Sequence, residues 1–368
     1  MKYLLPLSML LLLPAAATAA ENPATAIDTI RTAGSAGVSS SDTRAALASL
    51  TKSGSSSLLP ILNAFEGSSV LAGNYLRNAF EAIADAELKA GRRLPEQEIL
   101  AFIRTESQSP SARRLAYEWL LKQNPDLDTE LIPQMLLDPA AEFRRDAVAL
   151  LIQQAESSDQ PAKAVALFRN ALQGAVHDDQ VKKITEALRA AGEQVNLQKH
   201  FGFLTDWMLI GPFDNKDMKG FAVAYPPEEQ VKLDARYKGQ LGDVAWEPLS
   251  IDDDYGLIDI AKQLSNYKGS VMYAATGFES DRKQSVELRL GTPNAWKLWV
   301  NGKLAFEREE YHRSTRMDQY KVPVELNAGT NTILVKVCQN EQTDDWAQVY
   351  QFQLRVCDSA GSAVLPKQ

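Results

Sequence analysis

The chain has 368 residues, with 39 Lys and Arg against 47 Asp and Glu and a net charge of −8. That length suits two domains of about 150 residues, and 45% apolar with 23% charged residues disfavours a largely disordered chain. The acidity argues against a general nucleic-acid binder, which needs a basic face; three His and two Cys leave little for a His/Cys metal cluster.

Lys2 precedes an apolar run, Tyr3–Pro14, and a small-residue stretch, Ala15–Ala20, with Ala17-Thr18-Ala19 as the cleavage site. This is the layout of a secretory signal peptide over residues 1–20. Its apolar core is about a dozen residues, and a spanning helix takes about 20. The sequence therefore predicts a cleaved signal, no membrane span after cleavage, and a periplasmic or secreted protein. Residues 21–41 are rich in Ala, Ser, Thr and Gly. They read as a low-complexity linker with a short helix at Ala26–Thr32.

Residues 42–200 read as consecutive helices. Apolar residues recur at helical spacing, as in Leu115, Trp119 and Leu120, or Phe143, Ala147, Leu150 and Leu151. Breakers divide them at Ser109-Pro110, Asp126-Leu127-Asp128, Asp138-Pro139 and Asp159-Gln160-Pro161. Basic-x-small triplets begin at Arg44, Arg77, Arg114, Arg145 and Lys183, about 30 to 40 residues apart. A helical hairpin of that length cannot bury its apolar face alone, so such units stack into a solenoid. The segment Leu131-Ile132-Pro133 … Asp138-Pro139 … Arg144-Arg145-Asp146-Ala147 resembles the two-helix HEAT repeat. The resemblance implies an α-solenoid whose surface binds a protein partner. Arg77, Arg114 and Arg145 then serve repeat structure, by pairing with acids such as Asp138 or Asp146 or by capping carbonyls.

After Lys199 the texture changes. Ser285–Leu290, Trp296–Val300, Tyr320–Leu326, Asn331–Cys338 and Gln348–Cys357 alternate as strands. Gly291-Thr292-Pro293-Asn294, Asn301-Gly302 and Asn327-Ala328-Gly329-Thr330 are turns, and Asn-Gly is a strong hairpin signal. Many short strands at this spacing predict an antiparallel β-sandwich over residues 201–359, followed by a tail at 360–368. If the last two strands pair as a hairpin, Cys338 and Cys357 fall out of register. Two buried thiols are then favoured over a disulfide, and both readings stay open. Trp296–Lys303, Leu326–Val337 and the opening motif Trp207-Met208-Leu209-Ile210-Gly211-Pro212-Phe213 resemble the galactose-binding-like jelly roll. That fold occurs as an accessory, carbohydrate-binding-type module in secreted glycoside hydrolases and esterases. A helical-repeat region followed by such a module resembles a group of largely uncharacterised bacterial envelope proteins.

The densest polar segment of the β region, Glu307–Tyr320, joins aromatic rings to Arg, Asp and Gln. Sugar recognition uses such groups, since rings stack on the apolar sugar face and charged groups grip hydroxyls. Tyr311, His312, Arg313, Arg316 and Asp318 are the candidate ligand residues, with Trp346 and Gln348 contributing. The competing reading is a solvated loop with local ion pairs. The acidic runs Asp252-Asp253-Asp254 and Asp214-Asn215-Lys216-Asp217 are weak candidates for a structural Ca²⁺, which takes six to eight oxygens. Jelly rolls of the resembled type often carry one; otherwise no cofactor is expected. The motifs G-x-S-x-G and H-E-x-x-H and a phosphate loop are absent. The expectation is thus a non-catalytic exported scaffold: helical repeats for a protein partner, a β-module for glycan, and no nucleic acid. One alternative makes the β-module a protein-interaction or packing module only. A second makes the protein an envelope hydrolase of polysaccharide or ester that uses Glu310 or His312.

Overall fold

The computed structural model describes residues 22–35 and 37–367; the signal segment at 1–20 lies outside them. Helices occupy the chain as far as Phe201, and antiparallel sheets follow. Compact units divide between Leu131 and Ile132, some 70 residues before the change from helix to strand.

The first unit contains α1 (Pro23–Arg31), α2 (Ser40–Leu50), α3 (Leu58–Asn63), α4 (Val70–Lys89), α5 (Glu96–Arg104), α6 (Pro110–Gln123) and α7 (Leu127–Leu131). The segment expected to be a linker with a short helix at Ala26–Thr32 holds α1, which starts three residues earlier. Asn22 caps it by accepting from the Ala24 N–H, and Ala26, Ile27 and Ile30 are buried. Those three lie on one helical face, which packs against α2 and α4. The Ala and Thr that dilute the apolar pattern are helix residues here. Between α5 and α6 the polypeptide turns on Arg113. It is fully buried, and its Nε donates to the Ile103 carbonyl at 2.7 Å, satisfying one of the acceptors that α5 leaves unpaired at its C-terminus.

The second unit opens with α8 (Ala141–Glu156), α9 (Pro161–Gly174), α10 (Asp178–Ala190) and α11 (Leu197–Phe201). Arg144 in the first turn of α8 is also buried, and it donates to the carbonyls of Asp138 and Leu137. Carbonyl capping therefore falls to Arg113 and Arg144, one residue before the arginines singled out by the triplets. Arg77, Arg114 and Arg145 make surface pairs with Glu81, Glu118 and Asp179. The one-residue offset is about 100° of helix, enough to turn an arginine from the surface to the interior.

Gly202 joins α11 to the sheets. Its φ is +76°, and a Cβ there would lie 2.5 Å from the Val356 carbonyl oxygen. Twelve strands follow: β1 (Asp206–Asp214), β2 (Arg236–Gly239), β3 (Gly242–Ala245), β4 (Glu247–Ser250), β5 (Ile258–Asp259), β6 (Ser270–Ser280), β7 (Gln284–Gly291), β8 (Ala295–Val300), β9 (Lys303–Arg308), β10 (Tyr320–Leu326), β11 (Gly329–Gln339) and β12 (Gln351–Cys357). One sheet has the order β4-β1-β6-β11-β8-β9, a second β10-β7-β12-β5, and β2 and β3 form a separate pair; every pairing is antiparallel. Asn301 and Gly302 have φ of +52° and +75°, the two positive values that a tight β8–β9 turn requires.

Alternate residues of both sheets meet in one core that contains Trp207, Met272, Leu288, Trp296, Val335 and Phe352. The other face of the larger sheet is also buried. Phe213, Tyr273, Trp299 and Cys338 pack there with Phe221 and Trp246 from the chain between β1 and β4. Lys336 is fully buried on that side. Its Nζ donates to Glu228 Oε1 at 2.7 Å and to the carbonyls of Val223 and Phe221 at 2.7 and 3.1 Å, so the charge is both paired and hydrogen-bonded.

β11 and β12 do not pair as a hairpin. They lie in different sheets, because the eleven residues between them cross from one layer to the other. Cys338 and Cys357 are accordingly separate, free and buried. Burial pushes their thiols up to about 12 and about 11, which makes both poor nucleophiles.

Candidate functional site

The crossing between β11 and β12 builds the candidate site. A stretch this polar would wander in water without fixed partners, and here nearly every polar side chain beneath it has one. Gln339 is buried, and its Nε2 donates to the Ala347 and Val349 carbonyls at 3.2 and 3.1 Å. Lys268 Nζ donates to the Ala347 carbonyl at 2.9 Å. Gln348 Nε2 donates to the Asp344 carbonyl at 3.0 Å, and Gln348 Oε1 accepts from Asn266 Nδ2 at 2.6 Å. Asn340 Oδ1 accepts from the Gln342 N–H at 3.2 Å. These bonds hold the single 3₁₀ turn Asp345–Ala347 and leave Trp346 at its crest, 61% exposed.

The loop between β9 and β10 supplies the second half. His312 has φ +57°, and this left-handed turn aims its ring at the crossing. His312 Nε2 lies 2.8 Å from Asn340 Oδ1. Its ring meets Trp346 edge to face, with centroids 5.0 Å apart at 83°. Tyr311 is anchored on its other side, where its phenol oxygen accepts from Asn215 Nδ2 at 3.2 Å. Burial raises the pKa of that phenol, so it stays protonated across ordinary pH. The Asn215 amide also donates to the Gln339 carbonyl at 2.9 Å, and so ties both loops together.

Of the seven residues expected from sequence, Tyr311, His312, Trp346 and Gln348 converge. Arg313 is next to them, its N–H on the Pro293 carbonyl at 2.9 Å and its side chain 3.4 Å from Glu310. Arg316 and Asp318 leave the cluster. The Arg316 carbonyl passes over Gly291, where a Cβ would sit 2.4 Å from it, and its side chain is exposed. Asp318 has no free carboxylate oxygen for a ligand: Oδ1 accepts from Arg355 Nε at 2.7 Å, and Oδ2 accepts from Arg355 Nη2 and Arg289 Nη1 at 2.6 and 2.8 Å. Burial would raise its pKa, but the two guanidiniums outweigh that and hold it below the usual carboxylate value. Its part is structural, because Arg355 also donates to the Phe201 and Gly361 carbonyls.

Sequence reasoning missed Gln339, Asn340, Asn266, Lys268 and Asn215. Apart from the Asn340–Gln342 turn, their partners lie eight or more residues away, so no local spacing reveals them. In the acid run at Asp252–Asp254, the last two side chains are likewise committed. Asp253 Oδ1 accepts the N–H groups of Tyr255 and Leu257, and Asp254 forms a two-bond pair with Arg189 at 3.0 Å. Asp214 Oδ1 accepts the Lys216 N–H, and Asp217 pairs with Lys219. Among the described residues no three His, Cys, Asp or Glu side chains come together as a metal site, and no helix is long and apolar enough to cross a membrane.

A groove of about 840 Å³ opens elsewhere on the larger sheet. Asp206, Thr276, Thr330 and Thr332 line its floor, and Val231 and Leu233 form a wall. Leu233 is 51% exposed. Trp207 borders it but is buried, with its indole N–H on the Leu204 carbonyl at 2.9 Å. The groove therefore offers aliphatic and hydroxyl surface and no open aromatic ring.

No family model and no curated protein matches the chain. Among solved structures it is similar to a beta-glucosidase from Kluyveromyces marxianus in complex with glucose, at 7% identity over 41% of this chain and 16% of that one, TM-score 0.28. It is similar to an anti-sigma factor domain-containing protein at 10% identity over 44% and 46% of the chains, TM-score 0.27. For a Faecalibacterium prausnitzii beta-glucuronidase the values are 12%, 45%, 33% and 0.22. The chain spans less than half the length of each of these proteins, and at such scores the likenesses carry no argument about fold or function.

Proposed function

We propose that the protein is a non-catalytic, exported binding protein whose β-module holds glycan at Trp346. One observation carries this reading: a solvent-facing indole on a loop fixed from beneath by buried amides and from the side by His312. A Trp that is 61% exposed leaves most of its apolar area in water, so the fold gains little from placing it there. A sugar ring stacked on it would remove apolar surface from water on both partners. Because the crossing is already ordered, little conformational entropy is lost on binding. Tyr311, His312, Arg313 and Gln348 border the platform and would supply polar contacts to hydroxyls.

The finer architecture belongs to the same proposal. Two antiparallel sheets about one core, closed by the Asn301-Gly302 turn, favour a galactose-binding-like jelly roll. The shared carbonyl-capping device at Arg113 and Arg144 favours HEAT-like repeats. A solenoid of this kind would take a protein partner, and Val70 at 85% and Leu71 at 46% exposed on α4 are apolar side chains such a partner would cover. The non-catalytic reading draws support from Glu310. Its hydrogen bond to Arg308, at 2.7 Å, lowers its pKa, whereas a general acid needs a raised one.

Full-length protein should be retained on one or more of cellulose, chitin and xylan, and Trp346→Ala should lose that retention while keeping its melting temperature. Retention unaffected by Trp346→Ala would overturn the platform. A second reading, protein docking by the β-module, is favoured by the groove beside half-exposed Leu233; it predicts no retention on any glycan.

A further inference from the structure

We propose that the turn from α9 into α10 is an acid-released latch: when His177 and His200 take up protons, the start of α10 loosens from the sandwich while the sheets stay folded. The latch goes beyond glycan binding and does not rest on it. Two of the chain's three histidines bracket that turn. His200 in α11 donates from Nε2 to the Ala175 carbonyl at 2.9 Å. His177 immediately precedes α10, and its side chain does not cap the helix. Its Nδ1 is buried without a hydrogen-bond partner among the described residues. The ring lines a pocket of about 230 Å³ together with Arg289 of β7, Lys321 of β10 and Asp318.

The acids beside His177 already have partners. Asp318 is held by Arg355 and Arg289, and Asp179 by Arg145 at 2.8 and 2.6 Å. Asp178 Oδ1 accepts from the Tyr255 hydroxyl at 2.8 Å. Lys321 forms no ion pair among the described residues, so its charge faces the pocket uncompensated. The N-terminal end of a helix repels a cation as well. His200 faces the charge of Arg355 from β12. Arg169 and Glu193 beside it pair with each other, and Lys199 is a further cation. Burial holds both imidazoles below their ordinary pKa. Arg145, Lys321 and Arg289 add to that at His177 against Asp179, and Arg355 adds to it at His200 against the Ala175 carbonyl. The unfolded rings therefore take protons more readily than the folded ones. The contact is at full strength above about pH 6.5 and weakens as pH falls below it. Its loosening would uncover Tyr255 and Met317, which pack against the core of α8 to α11.

The test is hydrogen exchange of the full chain at about pH 7.5 and about pH 5, with each amide corrected for its intrinsic rate. Both conditions lie above the range in which Asp318 titrates. Exchange of the α10 amides from Val181 to Leu188 should rise about tenfold at the lower pH, while Ala274 in β6 and Val335 in β11 keep their protection. His177→Gln with His200→Gln should remove most of that rise, because glutamine is polar and does not titrate. Nuclear magnetic resonance of the imidazole protons in the wild type needs no variant: both rings should titrate below the ordinary value of about 6.5. A rise that survives in the double variant, an equal rise in β6 and β11, or either ring titrating at or above the ordinary value overturns the latch.

Discussion

The sequence ranks Asp318 among the first ligand candidates and Trp346 only as a contributor, and burial reverses that order. Asp318 lies against two guanidiniums that are themselves 6% and 0% exposed. Removing it as Asp318→Ala strands positive charge in the interior and should destabilise the fold by about 3 kcal/mol, read from urea unfolding. Its carboxyl titrates below its ordinary value in the folded state. Its contribution is therefore complete above that ordinary value and is lost as pH falls below about 4 toward the folded pKa. Wild type should lose stability in that window more steeply than Asp318→Asn. Trp346→Ala, by contrast, should change unfolding by less than about 0.5 kcal/mol, as surface substitutions do. Lys336→Met is predicted to resemble Asp318→Ala, because it leaves the Glu228 carboxylate without its ammonium partner in the interior.

At the scale of elements, patterning identified what is local and missed what is long-range. The strand Tyr320–Leu326 and the Asn301-Gly302 turn were legible because alternation and positive φ are written in adjacent residues. Whether β11 and β12 pair as a hairpin was not legible, because a polar stretch of eleven residues looks like a turn whether it returns to the same sheet or crosses to the other. Helix α1 was diluted by Ala and Thr, and only the contacts of Ala26, Ile27 and Ile30 make it part of the core. The arginine pattern was found one residue out of place, since a triplet motif carries no information about which side of the helix is buried. Gly202 went unnoticed, yet it permits the turn from α11 into the sheets. Gly202→Ala combines a strained positive φ with a contact on the Val356 carbonyl. It should cost about 2 kcal/mol, visible as a lowered melting temperature with unchanged helix and strand content.

For the whole molecule, the change of residue texture near 200 and the division into compact units at Leu131/Ile132 are different boundaries. α8 to α11 belong with the sheets: Arg144 donates to Ser362, Arg189 pairs with Asp254, and Tyr255 donates to Asp178. Phe201, Phe203 and Tyr255 add an aromatic cluster. A fragment of residues 132–368 should therefore unfold cooperatively, whereas one of residues 202–368 should melt lower or aggregate, because it exposes the surface that α10 and α11 cover. Equal melting of the two would contradict that grouping.

The central claim, that the ordered crossing presents Trp346 to glycan, is tested most directly by nuclear magnetic resonance of the full chain titrated with an oligosaccharide it retains. The indole N–H of Trp346 and the ring protons of His312 should shift together and saturate at one affinity. The amides of Thr276, Thr330 and Thr332 in the groove should stay in place. Shifts confined to the groove, or a Trp346 signal that does not move while the sugar binds, would contradict the account.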